Sequence, residues 1–316
     1  MASDLFENLH TSSIALRLSL HDDVDTLRIA FIDFWPGFQA QQSDFSKFFT
    51  WYHKNARPDR EISFTDDYVT SDIVVASLFG NEVGGIWGGL KMIVDPGKLV
   101  VYTGEAMPPH DRASINVGFD YGLPQPRYFR IPLWLLGFTD HNLDLPSLRG
   151  LTPTEIERTL NRPNLIGAVV SNPNCPERNA AMEAFPELIS GGRHRNNIGG
   201  PVNSKAEVAD RVRFLLAFEN QARDGYTTEK LPNARTLGCV PIYWGGFTDD
   251  FDRQAYVDAS AFRSVSDLVS HVRALSNESI RAMLQRPLIT DEVARTAKRN
   301  ISEWIDALFE LRDRNS

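Results

Sequence analysis

The chain has 316 residues, 42% of them hydrophobic and 23% charged, the balance of a soluble globular protein with room for two domains. Its 33 basic and 41 acidic residues leave a formal charge of −8, which argues against a nucleic-acid or anionic-membrane binder. No apolar run reaches the ~18 residues of a membrane span, and Met1–Glu7 lacks the basic-then-apolar order of a signal peptide, so a cytoplasmic protein is expected.

Leu27–Phe34 is a short apolar run that predicts a buried strand. Phe45, Phe48, Phe49 and Tyr52 recur at helical spacing and predict a helix over Asp44–Lys54. Ile73–Phe79, Leu99–Tyr102 and Ile115–Phe119 read as further buried strands. The Pro108-Pro109 pair and Leu123-Pro-Gln-Pro mark irregular connections. A second series begins near Leu151, where Thr152-Pro153-Thr154-Glu155 has the form of a helix start with proline at its first position. Leu165–Ser171 predicts a strand, and Pro176–Leu188 and Ser204–Asp210 predict helices. Val212–Phe218 is a strand, Glu229–Leu237 a helix and Cys239–Trp244 the next strand. Val265–Ala274 and Asp291–Arg312 close the series as helices. The last carries Ile301, Trp304, Ile305, Leu308 and Leu311 in one apolar stripe, which marks a packing face. Alternating strands and helices predict an α/β fold with parallel sheets covered on both faces. The expected organisation is a first domain over residues 1–150, a second over 151–290 and a closing helix over 291–316. Cys175 and Cys239, the only cysteines, sit in unrelated contexts and predict two reduced, partly buried thiols.

The stretch from Ala217 to Lys230 carries the clearest chemistry. An apolar strand runs into a polar loop that ends in Thr227-Thr228-Glu229-Lys230, a helix start. Backbone N–H groups, a lysine and a carboxylate therefore gather at the carboxyl end of a strand. There the helix dipole favours an anion, and open α/β sheets place their ligands there. A lysine in a first helical turn opposes the dipole unless an anion sits beside it, so Lys230 points to a ligand. A nucleotide diphosphate carrying a sugar fits such a site.

Ordered blocks along the second half resemble the α-1,3/4-fucosyltransferases, the family-10 glycosyltransferases. One is Val169-Val170-Ser171-Asn172-Pro173-Asn174-Cys175-Pro176-Glu177-Arg178-Asn179, and another is Ser190 to Gly199. A third runs from Phe218-Glu219-Asn220 through Gly225-Tyr226-Thr227-Thr228-Glu229-Lys230 to Gly238–Gly245. Weaker matches are Val101-Tyr102-Thr103-Gly104-Glu105, Gly118-Phe119-Asp120, Arg130-Ile131-Pro132 and, looser still, Asp33-Phe34-Trp35. Phe-Glu-Asn alone is uninformative, because it also occurs at Phe6-Glu7-Asn8. The resemblance implies a GT-B architecture, two Rossmann-like domains facing across a cleft. It places the acceptor on the first domain and GDP-fucose on the second. It further implies inverting transfer of L-fucose from GDP-β-L-fucose to a hydroxyl, expected to be O3, of GlcNAc or glucose. N-acetyllactosamine, lactose or a chitobiose core would be the acceptor.

An inverting transfer needs a base for the acceptor proton and positive charge for the departing diphosphate. Glu105, the glutamate of the Thr-Gly-Glu match, is the expected base. Arg195 and Lys230 are the expected diphosphate clamp, with Arg193 as a competitor two residues from Arg195; the arginine placed directly before Asn196 is favoured. Glu229 is suited to accept hydrogen bonds from ribose hydroxyls, or it simply favours the helix dipole. Asn220 and Tyr226 are expected at the diphosphate and at the fucose or nucleotide. Two departures stand out: Gln221 replaces the usual serine after Phe-Glu-Asn, and Pro232 follows Lys230 closely, which leaves the helix start uncertain. Asp23-Val24-Asp25 and Asp250-Phe251-Asp252 have the form of metal-holding triplets, but no metal or other cofactor is expected because the clamp supplies the positive charge. Trp35, Phe38, Phe49, Trp51 and Trp87 are aromatic candidates for stacking on sugars, each weighed against a place in the core. The rival readings are a transferase for another nucleotide sugar and a non-catalytic carbohydrate-binding protein on this scaffold.

Overall fold

The computed structural model describes residues 24–80 and 94–316; Phe6-Glu7-Asn8, Asp23 and Trp87 lie outside them. Two parallel sheets make up the molecule. The first has six strands: β1 (Asp25–Ile32), β2 (Arg60–Thr65), β3 (Ile73–Ala76), β4 (Leu99–Tyr102), β5 (Ile115–Gly118) and β6 (Tyr128–Arg130), in the order β2-β1-β3-β4-β5-β6. Helix α1 (Asp44–Asn55) joins β1 to β2 and buries Phe45, Phe48, Phe49 and Tyr52. Strands β3 and β4 are buried along their whole length, as their unbroken apolar sequence dictates.

The second sheet has the order β11-β10-β9-β7-β8, from β7 (Asn164–Ala168), β8 (Ile189–Ser190), β9 (Val212–Phe218), β10 (Val240–Trp244) and β11 (Val257–Asp258). Its helices are α2 (Pro153–Leu160), α3 (Pro176–Ala184), α4 (Ala206–Ala209), α5 (Lys230–Thr236), α6 (Val265–Ala274) and α7 (Asn277–Gln285). The Thr152 start is a full capping box: its side chain accepts from the Glu155 N–H, and the Glu155 carboxylate accepts from the Thr152 N–H, with Pro153 at the first position. All pairs in both sheets are parallel, so the carboxyl ends of each sheet lie along one edge. Two such domains facing each other form the GT-B arrangement.

The closing helix, α8 (Asp291–Asn315), returns to the first domain. Ile301, Trp304, Ile305, Leu308 and Leu311 are all buried. The Trp304 ring meets Phe45 at 6.0 Å and Phe49 at 5.6 Å between centroids. Tyr52 donates to Asp306 at 2.5 Å, and Arg312 pairs with Asp25 at 2.6 Å. Phe49 and Trp51 of the aromatic candidates accordingly belong to this core. Cys175 and Cys239 are both free and buried.

Side chains at the facing edges lock the domains together. Arg130 at the end of β6 makes a bidentate pair with Asp250, at 2.8 and 2.7 Å, and Trp134 Nε1 donates to the same carboxylate at 2.8 Å. Asp250 is therefore a structural counterion, and Asp252 of the same triplet caps the turn at Gln254. A second pair, Arg223 with Asp120 at 2.7 Å, spans the same edge. Gly225 lies here at φ +80, and a β-carbon on it would fall 2.3 Å from the Phe119 carbonyl oxygen, so only glycine lets the loop approach this closely. Removing one partner of a buried ion pair leaves the other charge uncompensated. Asp250→Ala should therefore cost on the order of 3–5 kcal/mol, read as a lower urea midpoint of unfolding. An unchanged midpoint would show that the clamp contributes nothing to the domain arrangement.

Candidate active site

In the second sheet, β7 is followed by β8 on one side and by β9 on the other, so the loops leaving β7 and β9 diverge. Open α/β sheets bind ligands in the crevice that such a reversal leaves. A cavity of about 320 Å³ occupies it, lined by Ser171, Asn172, Arg178, Lys205, Asn220, Glu229 and Lys230 among others. The sequence expectations for Asn220, Glu229 and Lys230 meet here.

Helix α5 begins at Lys230, with Glu229 in the capping position. Pro232 thus stands third in the helix, where a missing N–H breaks no intrahelical bond, which removes the conflict the sequence presented. Lys230 is held by Glu219, whose carboxylate is fully buried. The ammonium donates to Glu219 Oε2 at 2.8 Å and to Thr228 Oγ1 at 2.9 Å. The Thr228 N–H and hydroxyl also donate to Glu219, at 2.8 Å each for the shortest contacts. Burial pushes the Glu219 carboxyl above its ordinary value, and Lys230 and Thr228 pull against it. The glutamate of the Phe-Glu-Asn segment is thus the anchor that orients Lys230.

Glu229 faces the same cavity with its Oε1 at 3.5 Å from Lys205 Nζ. Burial works to raise its carboxyl, but Lys230 and then Lys205 outweigh that, and the net shift is downward. It stays an ionised carboxylate, which can only accept hydrogen bonds.

Arg195 stands apart from these residues. It lies outside the cavity, at φ 52, and its guanidinium is engaged by Glu183 on the exposed side of α3. The arginine that reaches the pocket is Arg178. Pro176 occupies the first position of α3 with Cys175 as its cap, which puts Arg178 in the first turn beside the carboxyl ends of β7 and β9. Its side chain is 3% exposed. It donates to Asn220 Oδ1 at 3.0 Å and to the Asn172 carbonyl at 2.6 Å, while its buried Nε meets no partner. No carboxylate pairs with it among the described residues. Arg235 is buried too, but it caps carbonyls of Leu284, Ala255 and Met283 away from any such cavity. The signal for Arg178 was present in the sequence: a cation in a first helical turn is as misplaced there as Lys230 is in α5. Lys205 gave no comparable signal, because only the fold brings it across from Glu229.

Glu105 follows β4 at the facing edge of the first sheet and is half-buried. Tyr226, 3% exposed, donates to Glu105 Oε2 at 3.3 Å from the opposite domain. Burial, followed by the Glu105 and Glu219 charges, drives the phenol's pKa far up, so it remains a proton donor. The structure therefore brings Glu105 and Tyr226 together across the cleft, with Tyr226 on the loop that also carries Asn220 and Lys230. Among the described residues, no group of three histidines, cysteines or carboxylates stands in a metal-holding arrangement. No described helix is long and apolar enough to cross a membrane.

Residues 162–283 match the family model described as glycosyltransferase family 10 (fucosyltransferase), C-terminal. The match covers β7 through α6, the elements that build the cavity. This part of the chain is similar to the family-10 glycosyltransferases. The alpha-(1,3)-fucosyltransferase FucT of Helicobacter pylori is 29% identical over 255 residues, which is 70% of this chain and 52% of that protein. An Arabidopsis thaliana alpha-(1,4)-fucosyltransferase is 30% identical over 136 residues, 35% of this chain and 34% of that protein. The chain thus spans from about a third to about half the length of these relatives. The fold extends the likeness to both domains. A solved alpha1,3-fucosyltransferase with GDP-fucose superposes with a TM-score of 0.67 at 22% identity, over 90% of this chain and 91% of that one.

Proposed function

We propose that this protein is an inverting fucosyltransferase that moves L-fucose from GDP-β-L-fucose to a hydroxyl of a GlcNAc- or glucose-containing oligosaccharide. The observation that carries this reading is Arg178, a buried guanidinium with an unpaired Nε and no carboxylate, opening with Lys205 and Lys230 on a cavity at the sheet's reversal. A buried cation without a counterion is costly, and a diphosphate in the cavity supplies the missing charge. The family relationship and the relatives' names support fucose as the sugar and GDP as its carrier.

In the proposed reaction Glu105 accepts the proton of the acceptor hydroxyl. The oxygen forms a bond to the anomeric carbon on one face as the carbon–oxygen bond to the diphosphate breaks on the other. GDP leaves as an anion stabilised by Arg178 and Lys230, with Glu229 on the ribose. Side chains carry the leaving-group charge in this scheme, and it requires no divalent ion. The test is a thermal-shift series with GDP, GDP-fucose, GDP-mannose and UDP-N-acetylglucosamine, followed by a transfer assay with N-acetyllactosamine, lactose and chitobiose. GDP and GDP-fucose should raise Tm, and GDP-fucose should be consumed with at least one acceptor. Stabilisation by the UDP-sugar alone would overturn the reading.

A further inference from the structure

The first sheet has its own reversal point. Strand β1 is flanked by β2 on one side and β3 on the other, so the loops leaving β1 and β3 part there, as they do above the cavity in the second sheet. Both loops present an exposed aromatic ring at that edge. Trp35 is 36% exposed and Phe79 is 38% exposed, and their rings meet edge to face at 6.2 Å. Large apolar rings left open to solvent as a pair mark a contact surface. The backbone is also strained here: Asp33 sits at φ 58 and accepts from the Phe79 N–H at 2.9 Å, tying the two loops together. Beside Trp35 opens a cavity of about 290 Å³ that is rimmed by Gln39 and Gln42. Among the described residues neither side-chain amide meets a hydrogen-bond partner.

A chain of packed rings links this crevice to the strand that precedes Glu105. Phe34 packs on Trp35 at 5.4 Å and stacks on Tyr102 at 6.3 Å, and Tyr102 ends the strand that delivers Glu105. On the other side Leu136 lines the cavity, while Leu133 of the same short turn lies against Gly104, 3.4 Å from where a β-carbon would be.

We propose that the reversal point of the first sheet is the acceptor subsite, with Trp35 and Phe79 as the platform for the apolar face of a pyranose ring and Gln39 and Gln42 as partners for its hydroxyls. The inference rests on the transferase reading above. A ring face and amide groups match the two sides of a sugar, whose C–H face is apolar and whose edges are hydroxyls. The crevice is therefore a specificity surface for the unit that receives fucose or the one beside it.

The test is steady-state kinetics of Trp35→Ala, Trp35→Phe and Phe79→Ala, using whichever of N-acetyllactosamine, lactose and chitobiose the unaltered protein turns over, with GDP affinity measured on each variant by calorimetry. Trp35→Ala should raise the acceptor KM about tenfold or more, with a smaller fall in kcat, while GDP Kd moves less than about twofold. Trp35→Phe should recover most of the loss, and Phe79→Ala should raise KM in the same direction. An acceptor KM within about twofold of the unaltered protein in both alanine variants, with GDP bound normally, would overturn this inference alone. Failure of the unaltered protein to bind GDP or to transfer would instead sink the broader reading.

Discussion

Replacing Glu105 with alanine is expected to lower kcat by at least about 10²-fold while leaving the Kd for GDP nearly unchanged, because a positioned base acts on the transition state and not on the nucleotide. Glu105 also accepts a hydrogen bond from Tyr226, so loss of the side chain removes a contact between the domains as well as a base. Glu105→Gln separates the two. The amide keeps an oxygen that can accept from Tyr226 but cannot take a proton. If Glu105 is the base, Glu105→Gln should be as inactive as Glu105→Ala. If the glutamine variant recovers most of the rate, the carboxylate serves to position the loop, and another group takes the acceptor proton.

The second large effect concerns the diphosphate. Arg178→Ala should weaken GDP binding about 10- to 100-fold, the range for losing a charged hydrogen-bond donor. Arg195→Ala should leave it within about twofold, since that guanidinium already lies on Glu183 outside the cavity. Lys230→Ala should weaken GDP binding as well, with a complication the structure makes explicit. Glu219 is fully buried, and Lys230 is the cation that pairs with it. Lys230→Ala should therefore also destabilise the protein by about 3–5 kcal/mol, whereas the double variant Lys230→Ala with Glu219→Gln should regain stability without regaining GDP affinity. Calorimetry with GDP alongside urea unfolding reads both quantities. Recovery of GDP affinity in the double variant would mean that Lys230 acts through folding and not on the phosphates.

Much of this was written plainly in the chain. Strand β9 and the helix that begins at Lys230 were legible because a wholly apolar run ends in polar residues with helix-start chemistry. The Thr152 start was legible because a capping box is local by nature. Strand β2 escaped notice because Arg60-Glu-Ile-Ser-Phe-Thr is polar in four of its six positions, as suits an edge strand, and α7 because its buried stripe amounts to Ile280 and Leu284. Arg178 was not singled out in the sequence, although its segment and that of Arg195 both resemble the family. The position directly before Asn196 favoured Arg195, and only the packing of α3 against the ends of β7 and β9 brings the Arg178 guanidinium to the cavity. Glu219 was hidden for the same reason: its partner lies 11 residues on, across a loop whose path the sequence does not give. The interdomain role of Asp250 depends on Arg130, 120 positions away.

A crystal structure with GDP bound tests the central claim most directly. The diphosphate should lie within hydrogen-bond reach of both the Arg178 guanidinium and the Lys230 ammonium, with the ribose on Glu229 and the leaving-group oxygen directed towards Glu105. A nucleotide whose phosphates rest on Arg195, or anywhere beyond the reversal point between β7 and β9, would contradict it.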